Sequence, residues 1–170
     1  LRRGGAGRAR ASPRQAAQDY GASVATQLAR LPACLGGTEV ERLVRQRVGQ
    51  QKFREAMLDY WAGACAVTGV ALPEVLRASH AKPWSECSSD AERLDVFNGF
   101  LLVANLDALF DRFLVSFDDG GCLLVSSRIG HAELGHLGLA TDLRLRWLTD
   151  QHKSYLAWHR ARCSDISSLA

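Results

Sequence analysis

Residues 75–113 read VLRASHAKPWSECSSDAERLDVFNGFLLVANLDALFDRF. Val75 to His80 alternates with the period of a strand and puts Leu76, Ala78 and His80 on one face. Pro83, Ser85, Ser88, Ser89 and Asp90 mark residues 81–97 as a long loop, and a loop of that length inside a compact domain usually serves function. Phe100 to Ala104 is a second apolar strand. Asn105 is placed to cap a helix from Leu106 to about Phe113. The order strand, long loop, strand, helix is satisfied by two antiparallel strands with a helix packed across them, facing one another over a small cleft. His80 ends the first strand, Asn98 begins the second, and Asp107 and Asp111 share one helix face at i and i+4. All four are expected to converge, a set of side chains for which a packed core has no use.

The flanks read as helical. Thr38 with Glu41 forms a capping box, ahead of an apolar stripe of Val40, Leu43, Val44 and Val48. Gly49 is expected to break that helix, and a second, Gln50 to Trp61, to carry Phe53, Met57, Leu58 and Trp61 inward. Cys65, Val67, Thr68 and Gly69 suggest a short strand end and a turn. The segment LVSF-DDGG-CLLVS is a hairpin around a Gly-rich turn. Leu148 to Cys163 closes the chain as a helix with Leu156 and Trp158 as core candidates. Residues 38–165 are therefore read as one α+β domain, and 170 residues suffice to bury a core.

The net charge of +3 is unevenly placed. Residues 1–38 hold six arginines against Asp19 alone, a balance of +5 that leaves −2 for the rest. Residues 1–37 thus read as a basic, largely flexible arm with a short helix near 15–31. Such an arm either holds nucleic acid through its phosphates or is a solvated leader. The five cysteines, at 34, 65, 87, 122 and 163, include no CxxC pair, which argues against a zinc ribbon. A chain of this size does not need a disulfide framework. Reduced cysteines in a cytoplasmic protein fit best, and no apolar run of about 18 residues crosses a membrane.

The segments VGQQKFREAMLDYWAGACAVTG, ASHAKPW, ERLDVFNGFLL and LDALFDRFLVSF, within residues 47–127, resemble the HNH endonucleases, the ββα-metal or His-Me finger nucleases, in their restriction-type branch. The gap of nine positions from Asn98 to Asp107 is the family's usual one. The resemblance implies a ββα-metal core with flanking N- and C-terminal helices. It makes His80 the general base that activates water, Asn98 the residue that orients His80 through hydrogen bonds, and Asp107 and Asp111 metal ligands. Lys82, Arg93 and Arg112 become phosphate contacts.

Physical chemistry is consistent with these roles. A neutral histidine accepts a proton near pH 7, and a divalent ion neutralises charge on the phosphate and the leaving oxygen. Two carboxylates favour Mg²⁺ or Mn²⁺ over Zn²⁺. The sequence departs from the family's commonest form in Asp107 for His, Ser79 for Asp and Phe113 for Gly. The expected partner is DNA, with a homodimer or a specificity domain elsewhere as additions. The expected function is metal-dependent hydrolysis of DNA phosphodiesters. The alternatives are a catalytically weak DNA-binding module on the same fold and the nuclease part of a larger restriction or defence protein.

Overall fold

The computed structural model describes residues 39–140 and 142–168. The expected arm, its helix near 15–31 and the Thr38 cap lie outside the described residues. Helix α1 spans Glu39–Tyr60. Two antiparallel strands follow, β1 (Leu76–His80) and β2 (Gly99–Val103), paired from Leu76 opposite Val103 to His80 opposite Gly99. The loop between them holds a short helix α2 (Asp90–Arg93). Helix α3 (Ala104–Phe110) leaves β2 directly. Strands β3 (Val115–Phe117) and β4 (Leu123–Ser126) form the expected hairpin, and β5 (Ile166–Ser168) adds a third strand beside β4. Helices α4 (His131–His136) and α5 (Asp150–Arg160) lie between. The fold is α+β, with a strand–loop–strand–helix unit from β1 to α3 at its centre. No helix among the described residues is long and apolar enough to cross a membrane.

One core serves the whole domain. Phe53, Met57 and Trp61 from α1 and the turn after it, Phe100 to Leu102 from β2, Phe110 from α3, Phe117 from β3 and Leu156 from α5 belong to a single buried cluster. β2 is buried along its whole length, which accounts for its unbroken apolar run. Trp158, expected in the core, is only half-buried and lies against Phe113.

Three local expectations are corrected. Helix α1 runs through Gly49 without a break. That glycine makes room: a Cβ there would stand 2.4 Å from Cη2 of Trp84. Asn105 lies inside α3, not at its cap; Val103 holds the N-cap position without a side-chain bond. The Asn105 amide instead donates to the Leu137 carbonyl at 2.6 Å. Helix α3 ends at Phe110, and Phe113 takes a φ of +57°. The backbone makes the left-handed turn that glycine usually makes, at a cost of about 1–2 kcal/mol for a side chain there. The Phe113 ring packs on Trp158 and His159, which offsets that cost.

The loop at 81–98 is more ordered than its composition implies. Ser89 accepts a hydrogen bond from the Glu92 amide and Asp95 one from the Phe97 amide, so two helical turns start on side-chain caps. Gly99, at the loop's far end, faces α1. A Cβ on it would meet Phe53 Cζ at 2.3 Å and Met57 Sδ at 2.8 Å. Both side chains are fully buried, so neither yields easily. Gly99→Ala should lower folding stability by about 1–3 kcal/mol, read as a lower urea midpoint at unchanged slope. An unchanged midpoint would mean that Phe53 repacks freely.

Candidate active site

His80 closes β1, and its ring is held on three sides. It stacks on Phe53 with centroids 3.7 Å apart and planes 15° from parallel. The Trp84 ring meets it edge-on at 5.9 Å. Nε2 lies 2.7 Å from the Arg93 carbonyl oxygen. A carbonyl only accepts, so Nε2 carries the ring proton and Nδ1 keeps its lone pair. Burial pushes the His80 pKa down to about 4, although the Arg93 carbonyl favours the charged form. At neutral pH the ring is therefore uncharged, with one nitrogen able to accept a proton.

Asn98 makes no hydrogen bond to the His80 ring, and its bonds go to the loop that carries Arg93. The fully buried Asn98 amide accepts from the Lys82 amide at 2.8 Å. It donates to the carbonyls of Lys82 at 3.1 Å and Glu92 at 3.2 Å, and to Cys87 Sγ at 3.4 Å. It thus ties the two arms of the loop together next to Arg93, whose carbonyl orients His80. Lys82 and Arg93 take part in the same bracing. Lys82 pairs with Glu92 at 2.7 Å. Arg93 binds Asp90 and the carbonyls of Trp84 and Cys87. A phosphate would compete with these partners. Arg112 is exposed and forms no ion pair among the described residues.

Asp107, in the first turn of α3, and Asp111, at its C-cap, line one cleft of about 480 Å³ with His80. By strand alternation Ser79 and His80 leave β1 on opposite faces. Ser79 turns to α3 and its hydroxyl donates to Asp107 Oδ1. His80 turns to Phe53 on α1. The cleft reaches both because His80 is the last residue of the strand. Partial desolvation in the cleft, and then the charge of Asp107, push the Asp111 carboxyl up to about 6, with Arg112 offsetting part.

The donor set fits a hard divalent cation in part. Among the described residues no three His, Cys, Asp or Glu side chains gather into a metal cage. Asp107 and Asp111 offer carboxylate oxygens in one cleft, and the Asp111 carboxyl is raised by desolvation first and by the charge of Asp107 second. Such a site suits an ion that keeps several waters and takes the rest of its shell from phosphate.

The same cleft is lined by Gln50, Phe53, Arg54, Arg77 and Trp84, which were not singled out as site residues from the sequence. Gln50, Phe53 and Arg54 have i, i+3, i+4 spacing on α1. That spacing was legible, but it reads equally as the edge of a core stripe. His152 and His159 are buried in the core and have no place in the cleft. His159 bonds the Ser116 hydroxyl and the Phe110 carbonyl.

Residues 65–118 match the family described as HNH endonuclease. The segment takes in β1, the loop, β2, α3 and β3, hence His80, Asn98, Asp107 and Asp111. No curated protein matches the chain.

Two expectations follow from this chemistry. Asn98→Ala removes the group that satisfies one half-buried amide and two carbonyls, and an orphaned buried group costs about 1–3 kcal/mol. The variant should lose at least that in urea denaturation, and Asn98→Asp, which keeps the acceptor alone, should recover only part. The second concerns pH. Burial lowers His80, His152 and His159 to about 4 each. The unfolded chain, with histidines near 6.5, binds more protons, so their contribution is complete above about 6.5 and is lost as pH falls toward 4. Asp111, raised, works in the opposite direction between about 4 and 6. Three groups outweigh one: urea stability should fall on acidification from pH 7 to 4.5, and His159→Gln should flatten that slope.

Proposed function

We propose, from the premise that residues 65–118 belong to the HNH endonuclease family, that this chain hydrolyses DNA phosphodiester bonds with a divalent metal ion. The observation that carries the reading is the state of His80. It is a neutral imidazole with Nε2 committed to the Arg93 carbonyl and Nδ1 left to accept, in a cleft shared with two carboxylates. His80 takes the proton from the attacking water at Nδ1. Phe53 and Trp84 keep the ring in place, and Asn98 keeps the loop from moving the Arg93 carbonyl. Asp107 and Asp111 would hold the ion, and Ser79 fixes the rotamer of Asp107 through its hydroxyl.

When bound, a divalent ion supplies charge neutralisation at the phosphate and at the leaving oxygen. Oxygen donors favour Mg²⁺ or Mn²⁺. A base with a pKa near 4 has little driving force to take a proton. General-base catalysis, worth roughly 10² to 10⁴-fold, therefore leaves much of the acceleration to the ion. Of the three cations proposed from the sequence, Arg112, exposed and in no ion pair among the described residues, is the best placed to meet phosphate, and Lys82 and Arg93 chiefly hold the loop. The basic arm at 1–37 adds phosphate contacts without sequence preference. Restriction or defence, with specificity supplied by a further domain or a second copy, is the setting that the resemblance implies.

The thin ligand set favours one alternative, a module that binds DNA and cuts weakly or not at all. Supercoiled plasmid separates the two. Wild type should nick or linearise it with Mg²⁺ or Mn²⁺, less well with Zn²⁺, and not in EDTA. His80→Ala should lose roughly 10² to 10⁴-fold while still binding. Asp107→Ala should cost more activity than Asp111→Ala, because Ser79 already fixes Asp107 in the cleft. Full activity in EDTA would remove the metal from the mechanism, and plasmid bound but uncut under every metal would establish the binding module.

A further inference from the structure

Arg54 and Arg77 meet in the cleft with no carboxylate paired to either among the described residues. Arg54 reaches across from α1, and its Nη1 donates to the Leu76 carbonyl at 2.7 Å and its Nη2 to the Pro73 carbonyl at 2.8 Å. Arg77, on β1, donates from Nη1 to the same Leu76 carbonyl at 2.9 Å and to the Glu74 carbonyl at 3.0 Å. A shared acceptor makes the two guanidinium groups neighbours. Neither belongs to any of the four ion pairs among the described residues, which use Lys82, Arg93, Lys153 and Arg160. Both line the cleft that holds His80, Asp107 and Asp111.

Adjacent like charges repel, and a carbonyl oxygen offsets only part of a full charge. The carbonyls also hold each guanidinium in one orientation. They use part of its five N–H donors, and Nη2 and Nε of Arg77 have no protein partner among the described residues. Two preoriented cations with donors to spare, facing a cleft, are suited to an oxyanion that can accept from both.

Position along β1 identifies that oxyanion. Arg77 and His80 are three residues apart, about 10 Å at the rise of a strand. A backbone span of that order suits neighbouring phosphates of one nucleic-acid strand better than a single phosphate. The cleft thus has an acidic side on α3 and a basic corner where α1 meets β1, with the neutral base at the other end of β1.

We propose that Arg54 and Arg77 form a cradle for a backbone phosphate flanking the scissile one, which sets the register of the DNA strand over His80. The inference rests on the nuclease reading of the cleft. Arg54 also anchors the entry to β1 through Pro73 and Leu76, whereas Arg77 contacts only carbonyls close to it in the chain, so Arg77 is the cleaner residue to change.

The test measures binding without cleavage. A short fluorescent duplex is titrated with the full chain in EDTA across a range of salt concentrations, and wild-type plasmid cleavage with Mg²⁺ is measured alongside. Arg77→Gln should weaken binding several-fold and reduce the slope of log K against log salt by about 0.9, the share of one phosphate. Arg77→Lys keeps the charge but loses the fork, so it should weaken binding while leaving the slope near wild type. Lys153→Gln, whose charge is already paired with Asp150 on α5, should change neither. Melting curves check that each variant folds, and if Arg77→Gln does not, the lysine variant carries the test. Wild-type affinity and slope in Arg77→Gln, with wild type cutting plasmid, would overturn the cradle and leave the nuclease reading in place. A wild-type chain that neither binds nor cuts would overturn both.

Discussion

The buried amide of Asn98 holds the centre of this structure together. It sits where the loop returns to β2, and its acceptor and donors close on Lys82 at the start of the loop and Glu92 near its end. The pairing of His80 with Gly99 and the Ala81 amide on the Asn98 carbonyl shut the same base from the backbone side. Everything the loop carries then has a fixed origin. The Arg93 carbonyl points at His80, Trp84 closes the ring's edge, and Asp95 receives Tyr155 from α5 at 2.8 Å. A loop of polar residues becomes a rigid part of the site because its buried polar groups are paired internally and by one side chain.

Glycine and aromatic residues work as a pair around His80. Gly49 leaves space for Trp84 and Gly99 for Phe53, and those two rings flank the imidazole. The resulting apolar surroundings explain both the fixed ring and its low pKa. They keep the histidine uncharged at neutral pH. The opposite side of the cleft has the reverse problem. The charge of Asp107 disfavours that of Asp111, and Arg54 and Arg77 share a carbonyl while neither joins an ion pair among the described residues. A cation on one side and an anion on the other would relieve both.

Much of the central unit was legible in the sequence because its signals are local. β1, β2 and α3 follow from strand alternation, an apolar run and an i, i+4 pair, and the hairpin from its turn residues. Boundaries moved where a local signal had a second use. Gly49 reads as a helix breaker, but it gives way to Trp84. Asn105 reads as a cap, but its amide is taken by the Leu137 carbonyl. Phe113 stands where a left-handed turn wants glycine, and the rings of Trp158 and His159 compensate.

The sequence by itself determined the order strand, loop, strand, helix and the placing of His80, Asn98, Asp107 and Asp111 along it. Each of those depends on periods and spacings of a few residues. Tertiary structure alone decided what each polar group binds. Asn98 braces the loop and makes no hydrogen bond to His80, because its buried amide is taken up by the Lys82 and Glu92 backbone groups beside it. Lys82 and Arg93 hold the loop because carboxylates and carbonyls lie within reach, and Arg54 joins the cleft from a helix more than twenty residues before His80. Hydrogen-bond partners are set by distance in space, and packing brings together residues whose separation along the chain gives no sign of it.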